Sequence, residues 1–290
     1  MSITLGGWAS NEFAFTDEDF ERIRKLIFKQ AGISLSDSKR QLAYSRVGRR
    51  LRVHGLTRFA DYLALLETAG PEEWEAFTNV LTTNLTAFFR EEHHFPLLAE
   101  HVRTKGGRSI TLWCSACSTG EEAYSMAITM AETFDTLRPP VRILATDVDT
   151  NVLAAAERGV YPMERLERMK PERLRRFFQR GAGANKGHAR VRPELRELVR
   201  FRQLNLLHEN WPIRGPLDAI FCRNVMIYFD KPTQYAILRK FVPLLREDGL
   251  LFADHSENFI HAADLFRLRG RTVYELSPEC RIRHAPARQR

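Results

Sequence analysis

Cysteine and long apolar runs are scarce in this sequence, and each scarcity excludes a class of protein. The 290 residues include four cysteines, too few for the disulfide framework of a secreted scaffold, so we expect a protein of the reducing cytoplasm. No apolar run approaches the ~20 residues that span a bilayer. Residues 1–10 contain no basic stretch followed by an apolar one, so we also expect no secretory signal.

Helical spacing characterises the first part of the chain. Thr16 precedes an acidic turn and predicts a helix start, apolar residues then recur at helical intervals, and Gly32 predicts the stop. A second helix is predicted over residues 38–53. Two more are predicted near residues 58–67 and 72–84, separated by a Gly-Pro breaker. We therefore expect an all-helical N-terminal domain, placed at residues 1–88.

Positive charge is concentrated in this helical part. The chain has a net charge of +8, and between Thr16 and Ala60 there are 11 Lys and Arg against 5 Asp and Glu, a local excess of +6. Four basic residues share one stripe of the second predicted helix: Lys39, Arg46, Arg49 and Arg50. A basic surface predicts an acidic partner, which would be nucleic acid, anionic lipid or an acidic protein surface. A solvated helical face without a partner is the alternative.

From Ser109 onward, short apolar runs alternate with helical segments. Strands are predicted at 110–113, 141–145, 198–204, 217–222, 250–253, 265–268 and 272–276. Helices are predicted at 121–134, 151–158 and 233–245. This alternation is typical of an α/β fold with a mostly parallel sheet, and the last two strands predict a terminal antiparallel hairpin. We place this domain at residues 89–290.

The interval Arg180–Arg192 interrupts the alternation. It reads RGAGANKGHARVR, rich in glycine and basic residues. A flexible surface loop is one interpretation, and a small inserted hairpin with its own binding role is the other.

The segment WCSACSTGEE, residues 113–122, lies between a predicted strand and a predicted helix, where open α/β sheets bind nucleotide-like ligands. It contains one glycine, Gly120, so it is not the glycine-rich dinucleotide fingerprint. Asp147 ends the next predicted strand and would accept hydrogen bonds from both ribose hydroxyls, or else cap a helix. Asp149 is the better candidate for the cap.

Cys114 and Cys117 form a CxxC pair within that segment. A redox or zinc role requires a second ligand pair or a thioredoxin-like setting, and Cys222 and Cys280 form no such pair. We therefore expect these thiols to pack beside the ligand and no metal to be bound.

Two further segments carry polar residues in unusual positions. Residues 81–92, LTTNLTAFFREE, interleave Asn84, Thr86 and Arg90 with aromatic residues. Residues 221–230, FCRNVMIYFD, place Arg223, Asn224 and Tyr228 directly after a predicted strand, where α/β sites lie. An ordinary strand-to-helix loop is the alternative for the second segment.

These segments closely resemble the CheR family of chemotaxis receptor methyltransferases. The matching stretches are LTTNLTAFFREEHHFP (81–96), STGEEAYSMAI (118–128), DVDTNVLAAA (147–156), FCRNVMIYFDKPTQ (221–234) and LLFADHSENF (250–259). The resemblance implies a Rossmann-like domain that binds S-adenosylmethionine and releases S-adenosylhomocysteine. It also implies that glutamate side chains of bacterial chemotaxis receptors are esterified for sensory adaptation.

The resemblance also implies roles for single residues. Those expected to bind the cofactor are Asn84, Thr86, Arg90, Glu121, Asp147, Asn205, Leu206, Arg223 and Asn224. Arg90 and Tyr228 are expected beside the transferable methyl group and are the predicted catalytic residues.

Two partner surfaces follow from the same resemblance. The basic stripe of the N-terminal domain would dock the glutamate-rich cytoplasmic helices of the receptor. A small β-subdomain near residues 178–200 would bind a pentapeptide at the receptor's C-terminus. Its residues would be Gly181, Gly183, Gly187, Arg190 and Arg192, with 189–192 as an exposed edge strand. We expect no nucleic acid partner, and contact with the membrane only through the receptor.

Two other functions are compatible with parts of the sequence. A nucleic-acid methyltransferase would explain the basic charge, but residues 224–229 read NVMIYF and lack the Asn-Pro-Pro-aromatic motif of many amino-group methyltransferases. A receptor-docking adaptor without activity would not need the complete set of polar site residues.

Overall fold

The structure is a computed structural model that describes residues 12–284, so residues 1–10 and the predictions made for them lie outside it. The chain divides after Thr82 into two compact units. The division precedes the predicted boundary at residue 88 because hydrogen bonds tie Asn84 to the second unit. Its carbonyl accepts from Ser118 Oγ at 3.0 Å, and its side chain donates to Asp149 at 2.8 Å.

The first unit contains four α-helices: α1 (Asp17–Ala31), α2 (Arg40–His54), α3 (Phe59–Thr68) and α4 (Pro71–Leu81). Thr16 forms the predicted N-cap through a capping box with Asp19, and Gly32 ends α1 in the left-handed conformation. Helix α4 ends three residues before the predicted stop at Asn84, because Thr82 turns the backbone to an extended conformation (φ −64°, ψ 147°).

The second unit is built on a seven-stranded sheet in the order β6-β2-β1-β7-β8-β10-β9. Its strands are β1 (Ile110–Cys114), β2 (Val141–Asp147), β6 (Val199–Gln203), β7 (Leu217–Phe221), β8 (Leu245–Phe252), β9 (Phe266–Gly270) and β10 (Val273–Leu276). Five strands run parallel, and β10 pairs antiparallel with β8 and β9. The predicted α/β class and terminal antiparallel hairpin are confirmed.

The sheet is buried between helices on its two faces. The α-helices of this unit are α5 (His94–Arg103), α6 (Glu121–Thr133), α7 (Thr150–Arg158), α8 (Pro171–Phe177), α9 (Pro193–Glu197), α10 (Lys231–Phe241) and α11 (Pro278–His284). Alternate residues of β1 enter different cores, with Leu112 and Cys114 on one side and Trp113 on the other. Within residues 12–284 no helix is both long and apolar enough to cross a membrane.

A second, three-stranded antiparallel sheet has the order β3-β5-β4, formed by β3 (Val160–Pro162), β4 (Phe178–Arg180) and β5 (His188–Val191). The prediction that residues 189–192 form an edge strand is wrong, because β5 is paired on both sides. The edges are β3 and β4. Local alternation of residues 189–192 did not indicate that residues 160–162 would pair with them.

Candidate active site

Loops after all five parallel strands meet at the carboxyl edge of the large sheet. The loop after β1 holds Ser118 and Gly120, and Asp147 ends β2. Asn205 and Leu206 lie in the loop after β6, and Arg223 and Asn224 lie in the loop after β7. The loop after β8 contains residues 254–257. Ligands of open α/β sheets bind at this edge.

Asp147 is buried at the end of β2, and both of its oxygens face backbone donors. The N–H of Ser118 donates to Oδ2 at 2.8 Å, and the N–H of Asp149 donates to Oδ1 at 3.1 Å. Burial nevertheless raises the pKa of Asp147 to about 6. Asp149 caps α7 by accepting from the N–H groups of Asn151 and Val152, as predicted, so Asp147 is not the cap.

Gly120 holds the turn from β1 into α6 at φ +96°, which side chains rarely adopt. A Cβ there would lie 2.8 Å from Ala156 Cβ and 3.0 Å from the Tyr161 hydroxyl. The turn therefore packs directly against α7 and the small sheet.

The two glutamates that follow Gly120 have different partners. Glu121, predicted to bind the cofactor, is fully buried and pairs with Arg165 at 2.6 Å and with the Thr119 hydroxyl at 2.6 Å. Glu122 instead accepts from Arg223 at 2.7 Å and from the Cys114 thiol at 3.1 Å. Burial raises the pKa of Glu122, and the Arg223 charge opposes that shift. Glu122 was not among the predicted site residues, and its position next to Glu121 was the only feature of the sequence that pointed to it.

Arg223 connects three parts of the site. Its Nη1 donates to Glu122, its Nη2 donates to the carbonyl oxygen of Arg90 at 2.6 Å, and Glu91 lies 3.5 Å from Nη2. The Arg223 side chain is buried, and the contacts described for it are with Glu122, Glu91 and the backbone of Arg90.

Residues 84–91 lie between α4 and α5 in the chain. Arg90 is half-buried, and its Nη1 donates to the Leu85 carbonyl at 3.1 Å. Phe89 N–H donates to Ser125 Oγ of α6 at 2.9 Å. Thr86 is half-buried in the same segment.

The loop after β7 is fixed by the loop after β8. Asn224 Nδ2 donates to Asp254, and the Glu257 carboxylate accepts from the N–H groups of Val225 at 3.1 Å and Met226 at 2.8 Å. Burial raises the pKa of Glu257 to about 7. Tyr228, half-buried, ends the short 3-10 turn that these bonds hold in place.

Left-handed backbone conformations cluster in these loops. Phe89 (φ 53°), Glu91 (φ 52°), Ser118 (φ 48°) and Asn224 (φ 59°) are four of the seven non-glycine residues with positive φ among those described. Such conformations cost energy and persist where surrounding contacts over-determine them, which is typical of functional sites.

Glu91 is shared by two groups of possible metal-ligand atoms, each spanning less than 4.8 Å. One contains His93 and His94, and the other contains Asp254 and His255. Both groups are partly hydrogen-bonded, since His255 Nδ1 lies 2.6 Å from Glu91 and His94 Nε2 lies 2.9 Å from the Thr272 hydroxyl. Among the described residues, His94 Nδ1 and Glu91 Oε2 have no hydrogen-bond partner. Burial, aided by the Arg223 charge, lowers the pKa of His94 to about 3, so it is neutral here. The absence of a functional metal stays a prediction.

Asn205 and Leu206 follow β6 and are buried beside Asp147. Asn205 Oδ1 accepts from the N–H of Leu207 at 2.9 Å, and the N–H of Leu204 donates to the Asp147 carbonyl at 2.9 Å. This pair thus follows a strand that is paired with β2, close to the backbone of Asp147, and its role in cofactor binding stays a prediction.

Two comparisons with known proteins bear on this site. Residues 84–274 match the family model described as "CheR methyltransferase, SAM binding domain", and residues 18–82 match "CheR methyltransferase, all-alpha domain". The chain belongs to the CheR methyltransferase family. It is 55% identical over 269 residues to "Chemotaxis protein methyltransferase 2" of Pseudomonas aeruginosa, covering 92% of this chain and 96% of that protein. It is 54% identical over 271 residues to "Chemotaxis protein methyltransferase" of Escherichia coli K12, covering 93% and 94%.

Membership of the CheR methyltransferase family confirms the predicted family, fold and enzyme class. The protein is an S-adenosylmethionine-dependent methyltransferase, and the site residues fit that cofactor. Gly120 leaves no room for a side chain at the turn, and the Asp147 carboxylate lies at the strand end with acceptor capacity for ribose hydroxyls. The roles of single residues stay predictions.

A cavity of about 1240 Å³ lies elsewhere in the second unit. Its lining includes His101 of α5, Arg108 before β1 and Arg246 of β8. It contains none of the predicted site residues. Parallel strand β7 begins at this side with Leu217, so the cavity adjoins the opposite edge of the sheet from the loops described above.

The four predicted docking residues differ in whether their side chains are exposed and free to contact a partner. Lys39 and Arg49 are exposed, and within residues 12–284 neither side chain has an ion-pair partner. Arg46 donates to the Thr82 carbonyl at 2.5 Å. Arg50 is half-buried and pairs with Glu73 at 2.5 Å, so it stabilises the helix packing.

The glycines of the predicted tether lie in the turn between β4 and β5. A Cβ on Gly181 would overlap the Asn185 carbonyl oxygen, and Gly183 and Gly187 have φ of +56° and +89°. Arg190 is exposed and donates to the Arg158 carbonyl at 3.2 Å, whereas Arg192 is half-buried.

Proposed function

We propose that this protein transfers the methyl group of S-adenosylmethionine to glutamate side-chain carboxylates of chemotaxis receptors, giving methyl esters and S-adenosylhomocysteine. The observation that carries this proposal is the bonding of Arg223 to Glu122 and to the Arg90 backbone, which brings the predicted methyl-adjacent segments 84–91 and 223–228 together at the carboxyl edge. The comparisons support it, because the relatives named above are chemotaxis protein methyltransferases.

The reaction does not require a general base from the protein. A glutamate with an ordinary pKa near ~4.3 is already an ionised nucleophile at neutral pH. The bound cofactor supplies an electrophilic methyl group on a sulfonium. The protein has to align the two and exclude water, which contributes on the order of 7–11 kcal/mol in well-oriented reactions.

In this proposal Arg90 binds the incoming carboxylate and Tyr228 orients it. Arg90 is suited to that role because its guanidinium reaches the surface while its backbone carbonyl is held by Arg223. Asp147 would bind the ribose hydroxyls, and the other predicted cofactor residues would contact the remainder of the cofactor.

The test uses labelled S-adenosylmethionine and a receptor cytoplasmic fragment. We expect label on receptor glutamates that is released as methanol by mild base, because carboxyl methyl esters hydrolyse there and N-methyl groups do not. Base-stable label, or label on added RNA instead of the receptor, would overturn the proposal. An adaptor without activity would bind the fragment and transfer nothing.

For receptor docking we propose Lys39 and Arg49 as the principal contacts. Both are exposed cations on or next to α2, and methyl-accepting segments are rich in glutamate, so their charges are complementary. Methylation would take place in the cytoplasm, and the enzyme would contact the membrane only through the receptor.

For the C-terminal pentapeptide we propose strand addition at β4. The N–H of Gly181 donates to the His188 carbonyl of β5, and the Phe177 carbonyl accepts from the N–H of Arg192, directly after β5. Because bonded residues alternate along a strand, the backbone groups of Arg180 point away from β5. Tethering raises the local substrate concentration, to about millimolar for a short flexible linker.

Arg180→Pro tests this because it removes an outward N–H, and Arg180→Ala is the matched control. A receptor with the pentapeptide should be methylated faster than a truncated one by wild type and by Arg180→Ala, but not by Arg180→Pro. Equal rates on both receptors with the wild-type enzyme would refute the tether.

A further inference from the structure

Seven large apolar side chains are exposed in the described part of the chain, and they are not evenly distributed. Three of them, Leu85 (80% exposed), Ile227 (50%) and Ile260 (82%), lie in segments 84–91, 222–228 and 254–260. These segments make up less than a tenth of the described residues. Single exposed apolar residues are ordinary, but a concentration of them marks an interaction surface.

Hydrogen bonds join the three segments into one loop cluster at the carboxyl edge of the sheet. Arg90 bonds to the Leu85 carbonyl at 3.1 Å, and the Arg90 carbonyl in turn accepts from Arg223. Glu257 accepts from the N–H groups next to Ile227 in the chain, those of Val225 and Met226.

Ile227 and Ile260 are displayed by fixed backbone. Met226, beside Ile227, is fully buried, and Phe259, beside Ile260, is 1% exposed. Each exposed isoleucine therefore sits next to an anchor in the core. A surface held in this way binds a partner with little ordering cost.

We propose that Leu85, Ile227 and Ile260 contact the substrate segment around the methylated glutamate, and that this segment carries apolar side chains flanking the carboxylate. The inference rests on the proposed function, since it names the kind of sequence that the site accepts. The cluster combines the Arg90 cation with apolar neighbours, and a carboxylate flanked by apolar side chains is complementary to both features.

The test compares Leu85→Ser, Ile227→Ser and Ile260→Ser with Leu268→Ser. Leu268 is a matched control, because it is 57% exposed in the same unit but lies on β9, outside the loop cluster. Replacing exposed side chains leaves the core intact, so all four variants should fold. Thermal unfolding is measured to verify this.

We expect each of the three variants to raise KM for the receptor fragment about fivefold to tenfold, because a buried apolar contact is lost on binding. The Kd for S-adenosylmethionine, measured by calorimetry, should stay within about twofold, and Leu268→Ser should match wild type. The KM effect should persist at high salt, because the lost contact is apolar.

Unchanged KM in all three variants would overturn the inference. A rise in the Kd for S-adenosylmethionine equal to the rise in KM would also overturn it, because the side chains would then line the cofactor pocket. If the wild-type enzyme forms no base-labile ester on the receptor, the proposed function itself fails. Normal wild-type methylation with unaffected variants would reject this inference alone.

A substrate-side experiment separates a direct contact from an indirect one. Serine in place of the apolar residues that flank a methylated glutamate should raise KM similarly. Combined with Ile260→Ser, it should add little further, because both changes remove one shared contact. Fully additive effects would show that the side chains do not meet.

Discussion

Arg223 and Arg90 are joined through the backbone, with Arg223 Nη2 donating to the Arg90 carbonyl oxygen at 2.6 Å. Arg223 was predicted to bind the cofactor, yet its described contacts orient the residue proposed to meet the substrate carboxylate. Because lysine keeps the charge but not the planar fork, Arg223→Lys should lower kcat about tenfold or more while the Kd for S-adenosylmethionine changes little. A large change in that Kd would place the guanidinium in the cofactor pocket instead.

The raised pKa of Asp147 predicts pH-dependent cofactor binding. Its carboxylate must be ionised to accept from both ribose hydroxyls, so the Kd for S-adenosylmethionine should increase about tenfold per pH unit below its pKa of about 6. Asp147→Asn should weaken binding by roughly 1–3 kcal/mol at neutral pH and flatten the profile. A flat profile in the wild-type enzyme would remove Asp147 from the ribose site.

The raised pKa of Asp147 also makes the free energy of unfolding depend on pH. Acid favours folding through this group, whereas it weakens cofactor binding. Because the folded state raises this pKa, the folded protein binds more protons than the unfolded chain between about pH 4 and 6. Asp147 therefore stabilises the fold at the acid end of that window and loses that contribution as the pH rises through it. Asp147→Asn should remove this component from the unfolding free energy measured by denaturant titration.

Charge reversal on the N-terminal unit tests receptor docking. Lys39→Glu with Arg49→Glu should raise KM for the receptor about tenfold at low salt, and the difference should shrink as salt screens the charges. Lys25→Glu with Lys29→Glu makes the same change in net charge on exposed residues of α1 and serves as the control. Equal effects of the two pairs would indicate general attraction, not docking at α2.

Removal of the Tyr228 hydroxyl tests its proposed role in orienting the substrate. Tyr228→Phe keeps the ring, so cofactor affinity and thermal stability should be retained. Turnover at saturating substrate should fall about tenfold, as expected for one lost hydrogen bond in the transition state. Full turnover would mean that the hydroxyl takes no part in the reaction.

Gly120→Ala should destabilise the turn into α6. It combines a left-handed backbone with a Cβ 2.8 Å from Ala156, so the expected cost is about 2 kcal/mol or more. Gly107→Ala is the control, because Gly107 has φ +77° but open space around a Cβ. If the two variants unfold at the same denaturant concentration, backbone conformation alone accounts for the loss.

Periodicity predicted most of the elements because local burial patterns determine them. All seven strands predicted after Ser109 are present, with β1 at Ile110–Cys114 against a predicted 110–113. The short helices α8 and α9 and strand β3 were not predicted. They are too short for a periodic pattern, and β3 depends on pairing with residues distant in sequence.

The site was predicted at the level of segments but not of side-chain partners. Glu121 and Glu122 are adjacent and identical in type, so the sequence does not distinguish their partners. In the structure they point in different directions from the first turn of α6, and Glu121 pairs with Arg165 whereas Glu122 pairs with Arg223. Likewise, Arg49 and Arg50 share a predicted basic stripe, yet Glu73 of α4 neutralises only Arg50. Such pairings depend on tertiary packing, which spacing along one helix does not contain.

All four cysteines are buried as free thiols: Cys114 ends β1, Cys117 lies in the loop between β1 and α6, Cys222 follows β7 and Cys280 lies on α11. Burial raises the pKa of Cys114, Cys117 and Cys222, so alkylating reagents reach a reactive thiolate only when the surrounding structure opens. The alkylation rate of each native cysteine therefore measures local opening at a different place in the second unit. Bound S-adenosylmethionine should slow alkylation of Cys114 and Cys117 more than that of Cys280.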